Sequence, residues 1–210
     1  MIRILIADDH DIVRRGIRQV LALDPSFLVA DEAKDGWQVL EKLRGGDFDL
    51  LVTDLSMPGP SGVELVKRVR DEHPKLPVLV LSIHEEGQTA AWALKAGASG
   101  YITKGSESNA LLKAVRNVTS GGRYIEPELA QKMVLQHGQD SETPPHELLS
   151  EREYEVFLHI LRGAHLNDIA DALHLSAKTV STHKMRLMQK LEVETTVDLV
   201  RYAIHHGLMS

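Results

Sequence analysis

Cysteine is missing from all 210 residues, which excludes disulfides, thiolate zinc sites and cysteine nucleophiles. Aromatic residues are scarce at 4%, so a surface built to stack bases or sugars is not expected and the core must be made of Leu, Val, Ile and Ala. A long apolar run is lacking at the start. The segment MIRILIADDH is closed early by acids, too short and wrongly flanked for a signal peptide or a membrane span. A cytoplasmic chain that meets no membrane is expected. None of the three large segments is basic as a whole. Basic and acidic side chains number 15 and 17 in residues 1–122, 2 and 5 in 123–147, and 7 and 8 in 148–210.

The length and the 43% apolar content allow one large domain or two small ones with packed cores. Up to residue 122, short β-branched apolar runs alternate with stretches of helical period. The strands expected are 3–7, 27–30, 49–53, 78–82 and 100–103, and the helices are 11–23, 36–43, 61–72, 87–96 and 106–120. Five strands, each followed by a helix, imply right-handed crossovers and a five-stranded parallel sheet covered on both faces, a doubly wound α/β domain. Residues 123–147 contain Gly138 and the pair Pro144-Pro145, lack apolar periodicity and read as a linker. Residues 148–210 carry no strand signal. Four short helices are expected at 151–162, 166–173, 177–191 and 195–206, with Gly163 suited to a helix C-terminus and Ser176 to an N-cap.

In a doubly wound sheet the working site lies at the carboxyl ends of the strands, where strand order reverses. Asp8 and Asp9 follow the first strand, Asp54 the third, Ser82 the fourth and Lys104 the fifth. Three carboxylates meeting one lysine would repel each other. A hard divalent cation with oxygen ligands resolves the repulsion, and Mg²⁺ suits such a donor set. A single acid at a strand end often only caps the next helix. Three acids, a hydroxyl and a lysine in topological order point to function instead.

The segments IADDH, LLVTDLSMPGPSGVEL, VLVLS and AGASGYITK resemble the receiver domain of bacterial two-component response regulators, whose fold is flavodoxin-like. The resemblance implies strand order 2-1-3-4-5 and phosphorylation of Asp54 by a sensor histidine kinase. It further implies Mg²⁺ held by Asp9 and Asp54, by Asp8 through water and by the backbone carbonyl of Ser56, with Lys104 pairing a phosphoryl oxygen. Ser82 would move to the phosphoryl group and Tyr101 would turn into the space it leaves. Gly105 departs from the family, in which a proline commonly follows the lysine, so restraint on Lys104 must come from elsewhere. By the same resemblance, Ser56 and His84, two residues beyond Asp54 and Ser82, would flank the route of a hydrolytic water, and they stand either as plain exposed residues or as determinants of phosphoryl lifetime.

The stretch SAKTVSTHKMRLMQKL carries Lys178, Lys184, Arg186 and Lys190 and no acid, the one basic block of the sequence. An isolated basic helix is usually only a solvated face. Here a helix and a short HLS turn precede it, which makes a helix-turn-helix whose second helix would enter the major groove. LSEREYEVFLHILRG and DIADALHLSAKTVSTH resemble the LuxR-type DNA-binding domain, and the whole chain resembles a NarL/FixJ-type transcriptional regulator. The resemblance implies base contacts from Ser181, Thr182 and Met185 and phosphate contacts from Lys178, Lys184, Arg186 and Lys190. Ser181, where relatives commonly have Lys, puts the operator sequence in question, and His165-Leu166 replaces a small polar pair. His183 is read as packing or as a phosphate contact. Neighbours on a helix point about 100° apart, so His205 and His206 are not read as a metal site.

The expected partners are a sensor histidine kinase, double-stranded DNA, a second copy of the chain on DNA or after phosphorylation, and RNA polymerase. The apolar residues Val197, Leu199, Val200, Ala203 and Ile204 of the last helix are the expected dimer contact. A phosphatase of the haloacid dehalogenase type is the competing enzyme class. It places its nucleophile in a DxD pattern at the first strand, and Asp8-Asp9-His10-Asp11 does not fit that pattern.

Overall fold

A computed structural model describes residues 1–60, 62–83, 87–137 and 144–209. The chain divides into two compact units, residues 1–139 and 140–210.

In the first unit, strands β1 (Ile2–Ala7), β2 (Phe27–Ala33), β3 (Leu50–Asp54), β4 (Val78–Ser82), β5 (Gly100–Thr103) and β6 (Tyr124–Ile125) form one parallel sheet in the order β2-β1-β3-β4-β5-β6. The central strands β3 and β4 are buried at every position, as near-continuous apolar runs of a doubly covered sheet require. Between the strands run α1 (Asp11–Leu21), α2 (Gly36–Gly45), α3 (Gly62–Glu72), α4 (Gly87–Lys95) and α5 (Ser108–Thr119). Two apolar clusters lie on the sheet's two faces, between strands and helices. Leu5, Leu51, Val78, Val80 and Tyr101 pack with residues of α2, α3 and α4, while Ile4, Ile6, Val52, Leu79 and Ile102 pack with residues of α1 and α5.

Among the described residues the sheet has six strands, not the five expected, and the segment read as a linker carries a strand and a helix before residue 138. Tyr124–Ile125 pairs with Gly100–Tyr101 of β5, and α6 (Pro127–His137) follows and packs against α4. Two residues are too short a strand to show period-2 alternation, and Pro127 opens the helix where its missing N–H costs nothing. Leu129 is buried in the same cluster as Tyr101.

In the second unit, a 3-10 turn (Pro145–Leu148) precedes α7 (Glu151–Leu161), α8 (Leu166–Ala172), α9 (Ala177–Lys190) and α10 (Thr196–His205). Ser150 accepts from the Glu153 N–H while the Glu153 carboxylate accepts from the Ser150 N–H, a reciprocal cap that fixes the start of α7. Ser176 caps α9 by accepting from the Thr179 N–H at 3.1 Å, and Gly163, at φ 80°, ends α7, both as the sequence indicated. Between α8 and α9 the chain reverses at His174, φ 53°, with Leu175 N–H donating to Ala170 carbonyl at 2.8 Å. Tyr154, Phe157, Ile169, Val180, Leu187, Leu199 and Ala203 form the buried interior. Among the described residues no helix is long and apolar enough to cross a membrane.

Candidate phosphoacceptor site and nucleic-acid interface

Strand order reverses between β1 and β3, which run side by side with β2 beyond one and β4 beyond the other. Asp8 and Asp9 leave β1 at this point, and Asp54 ends β3. Asp8 is fully buried and Asp54 is 4% exposed. Lys104, just past β5, reaches both: its Nζ lies 2.7 Å from Asp8 Oδ2 and 2.8 Å from Asp54 Oδ2. The other Asp54 oxygen accepts from the Leu55 N–H at 2.8 Å. Burial pushes the Asp54 carboxyl above the ordinary carboxylate range, because the pull of Lys104 offsets it only in part. For Lys104, burial alone would lower the ammonium, but Asp54 and Asp8 outweigh it and hold it above an ordinary lysine.

His10, on the opposite side of Asp8, sits with Nδ1 at 2.8 Å from Asp9 Oδ1 and 3.2 Å from Asp8 Oδ1, while its N–H donates to Asp8 Oδ1 at 2.8 Å. One ligand atom each from Asp8, Asp9, His10 and Asp54 lies within 4.8 Å of the others. Three carboxylates against one ammonium leave an acidic surplus, and hard oxygen donors at this spacing fit a divalent cation of the Mg²⁺ type.

Lys104 is held without a proline after it. Its N–H donates to Ser82 carbonyl at 2.7 Å, and Thr103 beside it is tied by its N–H and its Oγ1, each 3.1 Å from Glu126 Oε2 at the end of β6. The loop after Asp54 is held from α2. Gly36 N–H donates to Pro58 carbonyl at 2.9 Å, and a Cβ at Gly36 would collide with the Pro60 carbonyl. Ser82 is buried at the end of β4, one register step beyond the Leu81 that faces Asp54. Tyr101 is fully buried, in the apolar cluster that also takes in Leu129 of α6. Ser56 is half-buried and its N–H donates to Asp54, whereas His84 lies outside the described residues.

In the helical unit, α9 turns Val180 and Leu187 inward. Lys178, Ser181 and Met185 lie at helical spacing on the outer side, Met185 being 64% exposed, with Thr182 and Lys184 half-buried beside them and Arg186 exposed. Lys190, expected at a phosphate, is engaged within the helical unit itself. Its Nζ is 2.6 Å from Glu153 Oε2 and 3.1 Å from Leu148 carbonyl, because α7 buries Glu153 and that carboxylate requires a cation. His183 Nδ1 is buried facing α7, and burial holds the ring below an ordinary histidine, which favours the packing reading. On α10, Leu199 and Ala203 are fully buried in the unit's own interior and are withdrawn from the expected dimer contact. Val197 and Ile204 remain exposed and line a shallow apolar groove of about 430 Å³ with Val200 and Arg201.

Sequence reasoning missed Arg14, His10 and Glu126. Arg14 lies on the same stripe of α1 as the buried Ile17 and Leu21, and an arginine at a core-facing position was the available signal. His10 stands between acids in the sequence itself. Glu126 carried no signal, since it depends on a strand too short to read.

A receiver fold with its acidic pocket, followed by a helix-turn-helix, defines a class: the chain is a two-component response regulator, and it belongs to the response regulator receiver domain family over residues 4–116 and to the luxR family of bacterial regulatory proteins over 147–203. The arrangement is that of the NarL/FixJ-type regulators. Among similar proteins, response regulator GacA of Pseudomonas protegens is 38% identical over 209 residues, spanning 100% of this chain and 98% of the relative. Response regulator UvrY of Escherichia coli K12 is 36% identical, spanning 99% and 96%. Among solved structures, RcsB of Salmonella enterica serovar Typhimurium, bound to the rprA promoter with the phosphomimetic BeF₃⁻, is 29% identical with a TM-score of 0.66 over 96% of this chain and 97% of that one. A structure of two RcsB dimers on two parallel DNAs gives 29% and 0.63, covering 97% and 98%.

Proposed function

We propose that Asp54 accepts a phosphoryl group from a phosphohistidine of a sensor kinase and that this modification controls DNA binding by the helical unit. The observation that carries the reading is the buried pairing of Asp54 with Lys104 at 2.8 Å beside an acidic surplus. An Asp54 carboxylate oxygen attacks phosphorus in line, the P–N bond to the donor imidazole breaks, and the freed imidazole nitrogen takes up a proton. The protein's part is positioning and charge neutralisation. Lys104, already directed at Asp54, would move its ammonium onto a phosphoryl oxygen, and the Leu55 N–H orients the attacking carboxylate. Asp8, Asp9 and Asp54, with the Ser56 carbonyl, would hold Mg²⁺. When bound, Mg²⁺ supplies a further neutralising contact to a phosphoryl oxygen. Ser82 and Tyr101 are the switch pair.

On DNA, Lys178, Lys184 and Arg186 would hold register on phosphates, and Ser181, Thr182 and Met185 would face base edges. A single helix-turn-helix of this size contacts one half-site, so two copies are required on a two-fold site. The exposed Val197 and Ile204 of α10 support that contact, and RNA polymerase is the downstream partner. The cellular location consistent with these roles is the cytoplasm. Intact-mass measurement with a small phosphodonor and Mg²⁺ tests the acceptor: one phosphoryl group is expected on the wild type and none on Asp54→Ala. Uptake by Asp54→Ala at the wild-type rate would refute the assignment.

A further inference from the structure

The core-facing stripe of α1 begins with Arg14, 4% exposed, and continues through Ile17 and Leu21. A buried guanidinium is tolerated only where its donors are met. Here Nη1 donates to the carbonyl oxygen of Asp8 at 2.6 Å, Nε donates to Glu32 Oε2 at 3.1 Å, and Nη2 pairs with Asp11. Glu32, on β2, is shared with Arg18 at 2.8 Å, and Asp11 lies 3.6 Å from Lys34. The N–H of Asp8 donates to the Ala33 carbonyl of β2 at 3.2 Å. The backbone at Asp8 is thus held on both sides, by β2 through its N–H and by Arg14 through its carbonyl.

We propose that Arg14 is a positioning residue for the divalent cation. By holding the carbonyl of the Asp8–Asp9 peptide it fixes the link from which both carboxylates depart, and so sets their spacing. The inference rests on the Mg²⁺ reading above.

Charge and position act on a bound cation in opposite directions, which makes the role separable. A buried positive charge near the site repels Mg²⁺, so a neighbour that mattered through charge alone would tighten binding when removed. A residue that holds ligands in place loosens binding when removed, and groups that orient metal ligands are typically worth about 10- to 100-fold in affinity. Lysine cannot substitute. Its ammonium is a point charge and cannot span a carbonyl and Glu32 as the planar fork does.

The test titrates Mg²⁺ alone into the full-length wild type, Arg14→Met and Arg14→Lys by calorimetry, with thermal unfolding recorded for each. Both variants are expected to bind Mg²⁺ about 10-fold more weakly. The Mg²⁺ concentration for half-maximal phosphoryl uptake should rise by the same factor. Unchanged or tighter Mg²⁺ binding in a folded variant would overturn the proposal. Arg14→Lys keeps the buried cation if Arg14→Met does not fold, and wild-type affinity in Arg14→Lys overturns the proposal by itself. No Mg²⁺ binding by the wild type would overturn the metal reading and this inference with it, whereas equal binding by all three chains would overturn this inference alone.

Discussion

Two lysines, one in each unit, make nearly the same contact and serve different ends. Lys104 lies 2.8 Å from Asp54 and Lys190 lies 2.6 Å from Glu153, and both carboxylates are buried. Lys190 meets one acid and one carbonyl in a closed arrangement that leaves no surplus. Lys104 meets two of the three carboxylates gathered at the strand ends, and the site keeps an excess of negative charge. An ion pair that balances is a strut. One that does not balance calls for a further ligand.

Removing each lysine in turn should have different consequences. Lys104→Met should slow phosphoryl uptake by about 100-fold, the usual cost of losing one donor to developing charge. Lys190→Met should leave uptake unchanged and lower stability by about 1–2 kcal/mol, less than a fully buried pair because Lys190 is partly exposed. Mass spectrometry and denaturant unfolding read the two effects. Slow uptake in Lys190→Met would erase the distinction.

A smaller effect concerns the exposed half of the basic helix. Lys184→Ala or Arg186→Ala should weaken binding to every DNA sequence and flatten the salt slope by about one unit per contact. Thr182→Ala should change the preference among operator variants instead. Equal effects of the two kinds of substitution on all sequences would show that the division between phosphate and base contacts is wrong.

His146 makes the stability of the helical unit depend on pH. Burial, helped by His206, holds its imidazole down to about 4, and its Nδ1 lies 3.0 Å from the Tyr202 hydroxyl. The unfolded chain protonates this histidine first, so its contribution is complete above about pH 6.5 and is lost as pH falls from there towards 4. His146→Gln should flatten the pH dependence of helical-unit unfolding across that window, and an unchanged profile would assign the slope to other groups. The smallest expected effect is at His174, φ 53°, where glycine should stabilise by about 0.5–1 kcal/mol in thermal or urea unfolding.

The strand ends were legible because topology and residue type coincide there: apolar runs locate the strands, and the acids that close them stand out. Asp8, Asp54 and Lys104 are therefore met where the pattern puts them. The sixth strand was illegible, since two residues carry no period. The pairing of Lys190 is not legible, because a basic run does not reveal which cation a distant buried Glu153 will claim. Arg14 is marked in the sequence only by its place on an apolar stripe. Leu199 and Ala203 look the same in sequence as Val197 and Ile204, and only packing separates interior from surface.

If phosphorylation of Asp54 governs DNA binding, the phosphorylated chain must bind DNA differently from the same chain without an acceptor. DNA affinity and sedimentation of the full-length chain are compared at one salt concentration, before and after treatment with phosphodonor and Mg²⁺, for wild type and Asp54→Ala. The treated wild type should bind more tightly and shift to dimers, with neither change in Asp54→Ala. Equal affinity and an unchanged oligomeric state in the phosphorylated wild type would contradict that control of DNA binding.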